Sequence, residues 1–272
     1  MDIWVTGASG FLGRHVVEAL VASDHRVFAV SRQETIAPAT ALAISVNDYA
    51  EIAPEPKAVL VHLAENNLVG ADQKRDEATE LLDRLLEKPF DRVIYASSAT
   101  VYGDQNPNAN TEDQTITPNG GYAQAKAERE RHVLAQGGTV LRIANVYGPG
   151  MSNANVLSDI MSQLDGQDPV QVRDDTPVRD YIWAEDVGDA VLAIVNKGKT
   201  GVYNIGSGVG VSVRELAQGF LALTGQNNRE IVATAPSLEA SNLVLDTHKT
   251  TQETDWSAKT DLTTGLKRLL HV

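Results

Sequence analysis

Hydrophobic and polar residues follow two alternating patterns in the first half of the chain. Short runs rich in Val, Ile and Ala predict strands, whereas longer segments with apolar residues three or four positions apart predict helices. This alternation is typical of βαβ units around a parallel sheet. The predicted strands are residues 2–6, 26–31, 58–64, 92–97 and 139–143. We therefore predict an α/β fold with a doubly wound parallel sheet.

Helical periodicity lies between the predicted strands. Leu12, Val16 and Leu20 form one apolar stripe on a helix over residues 11–22. Neither a helix nor a strand can continue through the Gly148-Pro149-Gly150 segment, which we predict as the boundary of a smaller C-terminal lobe. The other predicted helices are residues 81–86, 122–135, 153–164, 185–196 and 213–224, and the other predicted strands are residues 170–172 and 202–205.

The amino-acid composition restricts the kinds of molecule that the protein is expected to bind. The 272 residues include 36 acidic and 23 basic side chains, which give a formal net charge of −13. Nucleic acids and anionic membranes bind basic surfaces, so neither is an expected partner. The chain has no cysteine, which excludes disulfides and thiolate metal sites and fits a reducing compartment.

Targeting and metal signals are also missing from the sequence. The N-terminus lacks the basic and apolar pattern of a signal peptide, and the apolar run 187–195 is interrupted by Asp189 and too short to span a bilayer. No cluster of His, Asp and Glu has metal-ligand spacing on one element, and His62 is expected to be a buried strand residue rather than a base. We expect a cytoplasmic protein without a resident metal.

A glycine-rich turn, TGASGFLG at residues 6–13, joins the first predicted strand to the first predicted helix. In this position Gly7 permits a tight turn, and Gly10 lets a diphosphate approach the N–H groups at the helix N-terminus. Gly13 permits close packing of the helix on the strand. The alternative is a turn whose glycines only permit unusual backbone angles.

Tyr122 and Lys126 are a second candidate feature. Residues four apart lie on one face of a helix, so both side chains point into the same space. A nearby ammonium stabilises a phenolate, which lets a tyrosine transfer protons. Ser98 follows a predicted strand at the sheet edge where α/β proteins bind ligands, and its hydroxyl could hold a substrate oxygen. The alternatives are an exposed helix with an aromatic first turn and a serine that caps a turn.

Five ordered motifs resemble the extended branch of the short-chain dehydrogenase/reductase superfamily, which includes the NAD-dependent epimerases and dehydratases of nucleotide sugars. After the glycine turn they are VHLA at 61–64, SSATVYG at 97–103, YAQAK at 122–126, LRIANVYGP at 141–149 and VRDYI at 178–182. The resemblance implies a Rossmann-type sheet with a smaller substrate-binding lobe. It implies a nucleotide-binding domain of residues 1–147 plus roughly 182–205, and a lobe of roughly 148–181 and 206–272.

The resemblance also assigns roles to individual residues. It implies Ser98, Tyr122 and Lys126 as the catalytic residues. It implies Thr100, Asn145 and Arg179 as substrate-binding residues; the alternatives are an asparagine in a turn and an arginine paired with Asp180 or Asp186. The implied cofactor-binding residues are Gly7, Ser9, Gly10, Phe11, Leu12, Gly13, Ser31, Arg32, Asp48, Leu63, Ala64, Tyr122 and Lys126.

The end of the second predicted strand favours one nicotinamide cofactor over the other. NAD-preferring relatives place an acidic residue there, but this chain has Val30-Ser31-Arg32. Arg32 could pair with a ribose 2′-phosphate, so we predict NADP(H), with NAD(H) as the alternative. The remaining alternative is an arginine that only covers the sheet edge.

Two departures from the family pattern concern the sugar pocket: Glu65 and Asn66 replace small residues, and Trp183 stands where a histidine is common. Our first hypothesis is an NADPH-dependent reductase of a 4-keto-6-deoxy nucleotide sugar. The second is a nucleotide-sugar 4-epimerase that retains NAD, and the third is a non-catalytic NADP(H)-sensing regulator. The resemblance also implies a homodimer.

Overall fold

The computed structural model describes residues 1–33, 38, 40–65 and 77–271 of the chain. Its α-helices, α1 to α8, are Phe11–Val21, Glu77–Leu86, Gly121–Ala135, Val156–Met161, Ala184–Lys197, Val213–Leu223, His248–Thr254 and Leu262–Leu270. Its strands, β1 to β13, are Asp2–Thr6, Arg26–Ser31, Leu42–Ser45, Val59–His62, Arg92–Ser98, Thr139–Ile143, Asn145–Tyr147, Val170–Val172, Val178–Trp183, Gly201–Ile205, Gly210–Ser212, Ile231–Ala233 and Asn242–Leu243. Short 3₁₀ helices cover Tyr49–Glu51 and Ala99–Tyr102.

Seven strands form the main sheet in the order β3-β2-β1-β4-β5-β6-β10. All neighbours in it are parallel. The strand order reverses between β1 and β4, where Thr6 pairs with Val30 on one side and with His62 on the other. Such a reversal opens a crevice at the carboxyl ends of the strands, the usual ligand site of these sheets. The predicted Rossmann-type fold is confirmed.

Successive side chains of β1 point to opposite faces of the sheet, and on each face they are buried under helices. Ile3 and Val5 are fully buried in one apolar cluster together with residues of α1 and α5. Trp4, which points to the opposite face, belongs to a different cluster that includes Leu85 of α2. A strand buried on both faces is typical of a parallel sheet between helical layers.

The later strands build smaller sheets on one side of the main sheet. β9 pairs with β7, β11 and β13, and β8 pairs with β12. Trp183, Phe220 and Leu266 are buried in a separate apolar cluster with these elements. This is the smaller C-terminal lobe that the sequence predicts, whereas the exact division into two domains stays a prediction. None of the described helices has the length and apolar character needed to span a membrane.

The predicted elements differ from the observed ones mainly at their ends, whereas eight observed elements were not predicted: β3, β7, β9, β11, β12, β13, α7 and α8. The strand predicted over 58–64 is the shorter β4, because its partner β1 ends at Thr6, whose carbonyl accepts the last hydrogen bond of the pair, from Leu63 N–H. The helix predicted over 153–164 is reduced to α4, which Asn155 caps by accepting the Ser158 N–H at 3.0 Å. The buried strand β9 was not predicted as a strand, because Arg179 and Asp180 interrupt its apolar run.

Candidate active site

The glycine turn brings the carboxyl ends of β1 and β4 together. Gly7 has a φ of +74°, and a Cβ on it would lie 2.9 Å from the backbone N of Ala64. A Cβ on Gly13 would lie 2.1 Å from Gly7 O, so only glycine fits where α1 crosses the turn. The observed backbone therefore requires both glycines. Gly7 of the turn therefore lies against Ala64 of the VHLA motif at the carboxyl edge of the sheet. The role that the resemblance implies for both motifs is binding of the dinucleotide.

The start of α1 can accept the diphosphate of a dinucleotide. Its N-cap is Gly10, which supplies no capping side chain, and its first turn has no acidic residue. Phe11 and Leu12 begin the helix, Leu12 packs against the main apolar cluster, and four residues separate the helix from the carboxyl end of β1. A helix N-terminus of this kind attracts anions through its dipole and its unpaired N–H groups. The residues present therefore fit a dinucleotide diphosphate.

The end of β2 carries hydroxyl and guanidinium groups at this edge. The hydroxyl oxygens of Ser9 and Ser31 are 2.6 Å apart, which ties the glycine turn to β2. Arg32 is exposed, and its guanidinium carbon lies 5.5 Å from the centre of the Tyr49 ring. Among the described residues, the end of β2 thus carries a cation rather than a carboxylate beside the position implied for the adenosine ribose.

Asp48 is engaged in local contacts. Its carboxylate caps the 3₁₀ helix by accepting the Ala50 N–H at 2.9 Å, and it lies 2.7 Å from an Arg84 nitrogen. These hydrogen bonds, first that from Ala50 and then that from Arg84, hold the pKa of Asp48 below its usual value. The implied contact of Asp48 with adenine stays a prediction.

Lys126 lies between Tyr122 and strand β5. Its Nζ donates to Ala96 O at 2.6 Å and lies 5.8 Å from the centre of the Tyr122 ring. Lys126 is 5% exposed, whereas Tyr122, at the start of α3, is half-buried. β5 ends at Ser98, two residues beyond the carbonyl that holds Lys126. The first turn of α3 is thereby fixed over the carboxyl end of β5.

A buried carboxylate is the second partner of Lys126. Glu65 Oε2 lies 2.5 Å from Lys126 Nζ, and Oε1 lies 3.0 Å from an Arg129 nitrogen. The Tyr95 hydroxyl donates to Oε1 at 2.5 Å. Burial raises the pKa of Glu65, but the two cations outweigh it and the pKa is lower than usual. Glu65 is therefore an ionised carboxylate within this cluster.

His62 and Tyr95 line the same cluster from adjacent strands. His62 is 1% exposed, as expected of a core histidine, and its Nδ1 lies 2.7 Å from the Thr6 hydroxyl oxygen. Burial lowers the pKa of His62 to about 4, so the ring is neutral near neutral pH. Burial, with the Glu65 charge, raises the pKa of Tyr95 well above its ordinary value. Neither group is suited to exchange protons near pH 7.

The Ser98 hydroxyl is arranged to donate a hydrogen bond to a ligand rather than to accept one. Its oxygen accepts the Thr100 N–H at 3.2 Å and the Thr100 hydroxyl at 3.0 Å. A serine oxygen has two lone pairs and one hydrogen, and both lone pairs are engaged here. The remaining group is a donor, which suits a contact with a substrate oxygen. Thr100 supports Ser98 in this arrangement.

Asn145 and Arg179 lie on the paired strands β7 and β9. Asn145 is exposed and pairs in register with Tyr181, two residues beyond Arg179. Arg179 donates to the Ser241 hydroxyl at 2.7 Å, and its guanidinium lies 3.5 Å from the Asp104 carboxylate. The partner is thus Asp104 rather than Asp180 or Asp186, whose carboxylates accept backbone N–H groups. The implied diphosphate contact of both residues stays a prediction.

Comparison with known proteins identifies the family. The profile of the NAD dependent epimerase/dehydratase family matches residues 3–206. This chain belongs to that family. A UDP-glucose 4-epimerase of Corynebacterium glutamicum is 28% identical to this chain, and the match covers 97% of this chain and 93% of the relative. A dTDP-glucose 4,6-dehydratase of an Actinoplanes species is 25% identical over 98% of this chain and 95% of the relative.

A solved structure supports the family assignment at the level of the fold and the cofactor. The structure of MoeE5 in complex with UDP-glucuronic acid and NAD has a TM-score of 0.83 with this family member. The two chains are 27% identical, and the match covers 98% of this chain and 97% of MoeE5. The likeness supports a nicotinamide dinucleotide as the cofactor of this chain.

Sequence reasoning located Lys126 but not the group that holds it. Glu65 was noted only as a departure from a small residue, and Asn66 beside it lies outside the described residues. Tyr95 and Arg129 belong to none of the recognised sequence motifs. Arg129 follows Lys126 by three positions on α3, so its place on the same helix face was the available signal.

Proposed function

We propose that the protein catalyses reversible hydride transfer at a hydroxyl-bearing carbon of a nucleotide sugar, with Tyr122 as the proton-transfer group. The observation that carries this proposal is the position of Lys126 between Tyr122 and the strand that ends at Ser98. These three side chains lie at the carboxyl edge of the sheet, next to a glycine turn that fits a dinucleotide diphosphate.

The residues divide the chemical work in the following way. A bound nicotinamide dinucleotide would supply the hydride acceptor or donor. Ser98 donates its hydroxyl hydrogen to the sugar oxygen and orients it. Tyr122 takes the proton from that oxygen during oxidation and returns it during reduction. Lys126 places a positive charge beside Tyr122, which stabilises the phenolate form.

We propose 4-epimerisation as the overall reaction, with NAD(H) retained between two opposite hydride transfers. The epimerase relative and the dehydratase relative both match nearly the whole chain, and the somewhat higher identity of the epimerase, 28% against 25%, supports this choice.

A second candidate is net reduction of a 4-keto-6-deoxy nucleotide sugar by NADPH. The observation in its favour is the exposed Arg32 at the end of β2, where the sequence Val30-Ser31-Arg32 has no carboxylate to bind a ribose hydroxyl. The preference for NADP(H) over NAD(H) rests on the same residue.

One experiment separates the two candidates. The purified protein is incubated with UDP-glucose and NAD, and separately with NADPH and a dTDP-4-keto-6-deoxy sugar. Formation of UDP-galactose without net change in nicotinamide absorbance supports the epimerase, and stoichiometric loss of NADPH supports the reductase. Tyr122→Phe is expected to lower either rate by about 100-fold or more while dinucleotide binding is retained. Nearly full turnover of that variant would refute the assignment of Tyr122.

A further inference from the structure

A carboxylate beside the lysine of a proton-transfer pair changes the charge that the tyrosine experiences. Glu65 and Lys126 are 6% and 7% exposed as side chains, so water screens their interaction weakly. Removing water in this way makes each charge act more strongly on its neighbours. The charge next to Tyr122 is therefore that of the whole cluster rather than of Lys126 alone.

The hydrogen-bond geometry shows how firmly Glu65 holds Lys126. An ammonium has three donors. One goes to Ala96 O at 2.6 Å, and a second goes to Glu65 at 2.5 Å. Within residues 1–33, 38, 40–65 and 77–271 no further hydrogen-bond partner takes the third donor, which leaves it for Tyr122 or a ligand. Glu65 is itself fixed by Arg129 and by the Tyr95 hydroxyl, so it cannot leave the lysine without breaking two further contacts.

We propose that Glu65 is a positioning residue for the proton-transfer site: by binding Lys126 it sets the pH range in which Tyr122 gives up its proton. The inference rests on the proposed function only for the catalytic use of Tyr122. Glu65 reduces the positive charge beside the phenol, so Tyr122 holds its proton to a higher pH than Lys126 and Arg129 alone would allow.

Among the described residues, the other ionisable groups that face the cluster from β4, β5 and α3 are His62, Tyr95, Arg129 and Glu130. His62, on β4, has a pKa of about 4 and stays neutral, and the pKa of Tyr95, on β5, is raised well above that of a free tyrosine. Arg129 on α3 keeps its charge. Glu130 on α3 is buried in an ion pair with Arg142 at 2.8 Å. Lys126 is present in both the wild type and the Glu65 variant, so a change in the titration of Tyr122 on substitution of Glu65 follows from the loss of the Glu65 charge, either directly or through Lys126.

The test is a titration of the tyrosine in the protein without cofactor or sugar. The ultraviolet absorbance of ionised tyrosine is followed against pH, and the curve of the Tyr122→Phe variant is subtracted to isolate Tyr122. The same pair is measured in a Glu65→Gln background, which keeps the side-chain shape but removes the charge. We expect the isolated signal to move to lower pH by about one unit.

Two further variants make the result specific. Glu80→Gln removes an exposed carboxylate from α2 and is expected to leave the curve in place. Glu65→Asp keeps the charge but withdraws it by one methylene group, and is expected to shift the curve in the same direction by less than half as much. It also serves as the test if Glu65→Gln does not fold, which far-ultraviolet circular dichroism checks.

Coincident curves for the wild type and the folded Glu65 variant, or a shift to higher pH, would overturn the inference. The proposed function fails by a different result, namely absence of turnover of any tested nucleotide sugar by the wild type. Since the titration uses neither substrate nor cofactor, the two failures are distinguishable. If the protein is active, the part of its pH–rate profile that depends on ionisation of Tyr122 should shift in the same direction as the absorbance curve.

Discussion

Lowering the pH from 7 to 5 is expected to destabilise the protein by about 2 kcal/mol through His62 alone. Burial is the main reason that the pKa of His62 falls to about 4, from an ordinary value of 6.5; the Lys126 and Arg129 cations add to it, and Glu65 opposes it. In the unfolded chain the ring regains its ordinary pKa. Between these two values the unfolded chain binds a proton that the folded chain does not, so acid favours unfolding.

The magnitude follows from the two pKa values. Their difference, about 2.5, corresponds to about 3 kcal/mol once both states are titrated, and about 2 kcal/mol of this is lost by pH 5. Stability is constant above about pH 7 with respect to this group and falls as the pH approaches 4. Urea unfolding at pH 7 and pH 5 measures the loss, and His62→Asn, which cannot titrate there, measures the contribution of all other groups.

Comparing the wild type with His62→Asn tests whether His62 causes the loss of stability in acid. The wild type should lose about 2 kcal/mol more than His62→Asn between pH 7 and pH 5, whatever the variant costs at pH 7. Equal losses in the two proteins would refute the reasoning, since they would mean that His62 binds its proton equally well when folded.

Two further predictions concern the backbone and the buried charges. Gly13→Ala places a Cβ 2.1 Å from Gly7 O and is expected to destabilise the protein by more than about 2 kcal/mol and to abolish dinucleotide binding. Thermal unfolding and calorimetric titration with NAD test this, and binding at wild-type affinity would contradict it. Glu130→Leu leaves the buried Arg142 without its 2.8 Å partner and is expected to cost about 3–5 kcal/mol in urea unfolding. Glu128→Leu, exposed on the same helix, is the control and should cost less than about 1 kcal/mol.

Local chemistry explains why the nucleotide-binding half was predictable. The β1–turn–α1 unit is determined largely by neighbours in sequence, because the turn gives Gly7 a positive φ and brings Gly13 against Gly7 O, and Leu20 belongs to one helical stripe. Six of the seven strands of the main sheet are short apolar runs rich in β-branched residues, and their predicted bounds differ from the observed ones by only a few residues. The edge strand β3 was not predicted, because most of its residues are exposed and it has no such run.

The features that were missed depend on contacts between distant positions. β9 is a strand because it pairs with β7, β11 and β13, and its Asp180 is tolerated because Ser207 and Gly208 donate N–H groups to it at 2.8 and 3.0 Å. The role of Glu65 depends on its distance from Lys126, which lies 61 positions later in the chain but 2.5 Å away in space. Sequence periodicity carries no information on such pairs.

The parallel sheet also has a consequence for how the chain is made. The edge strand β10 pairs with β6 through Gly201 and Thr139, so about 60 residues must leave the ribosome after β6 before its partner exists. All five residues of β6 are buried in the finished protein. Until β10 arrives, the nascent chain exposes an unpaired strand edge of the kind that joins other chains. Chains that end before residue 201 should therefore aggregate or require a chaperone during synthesis, whereas chains that extend past 205 can cover this edge.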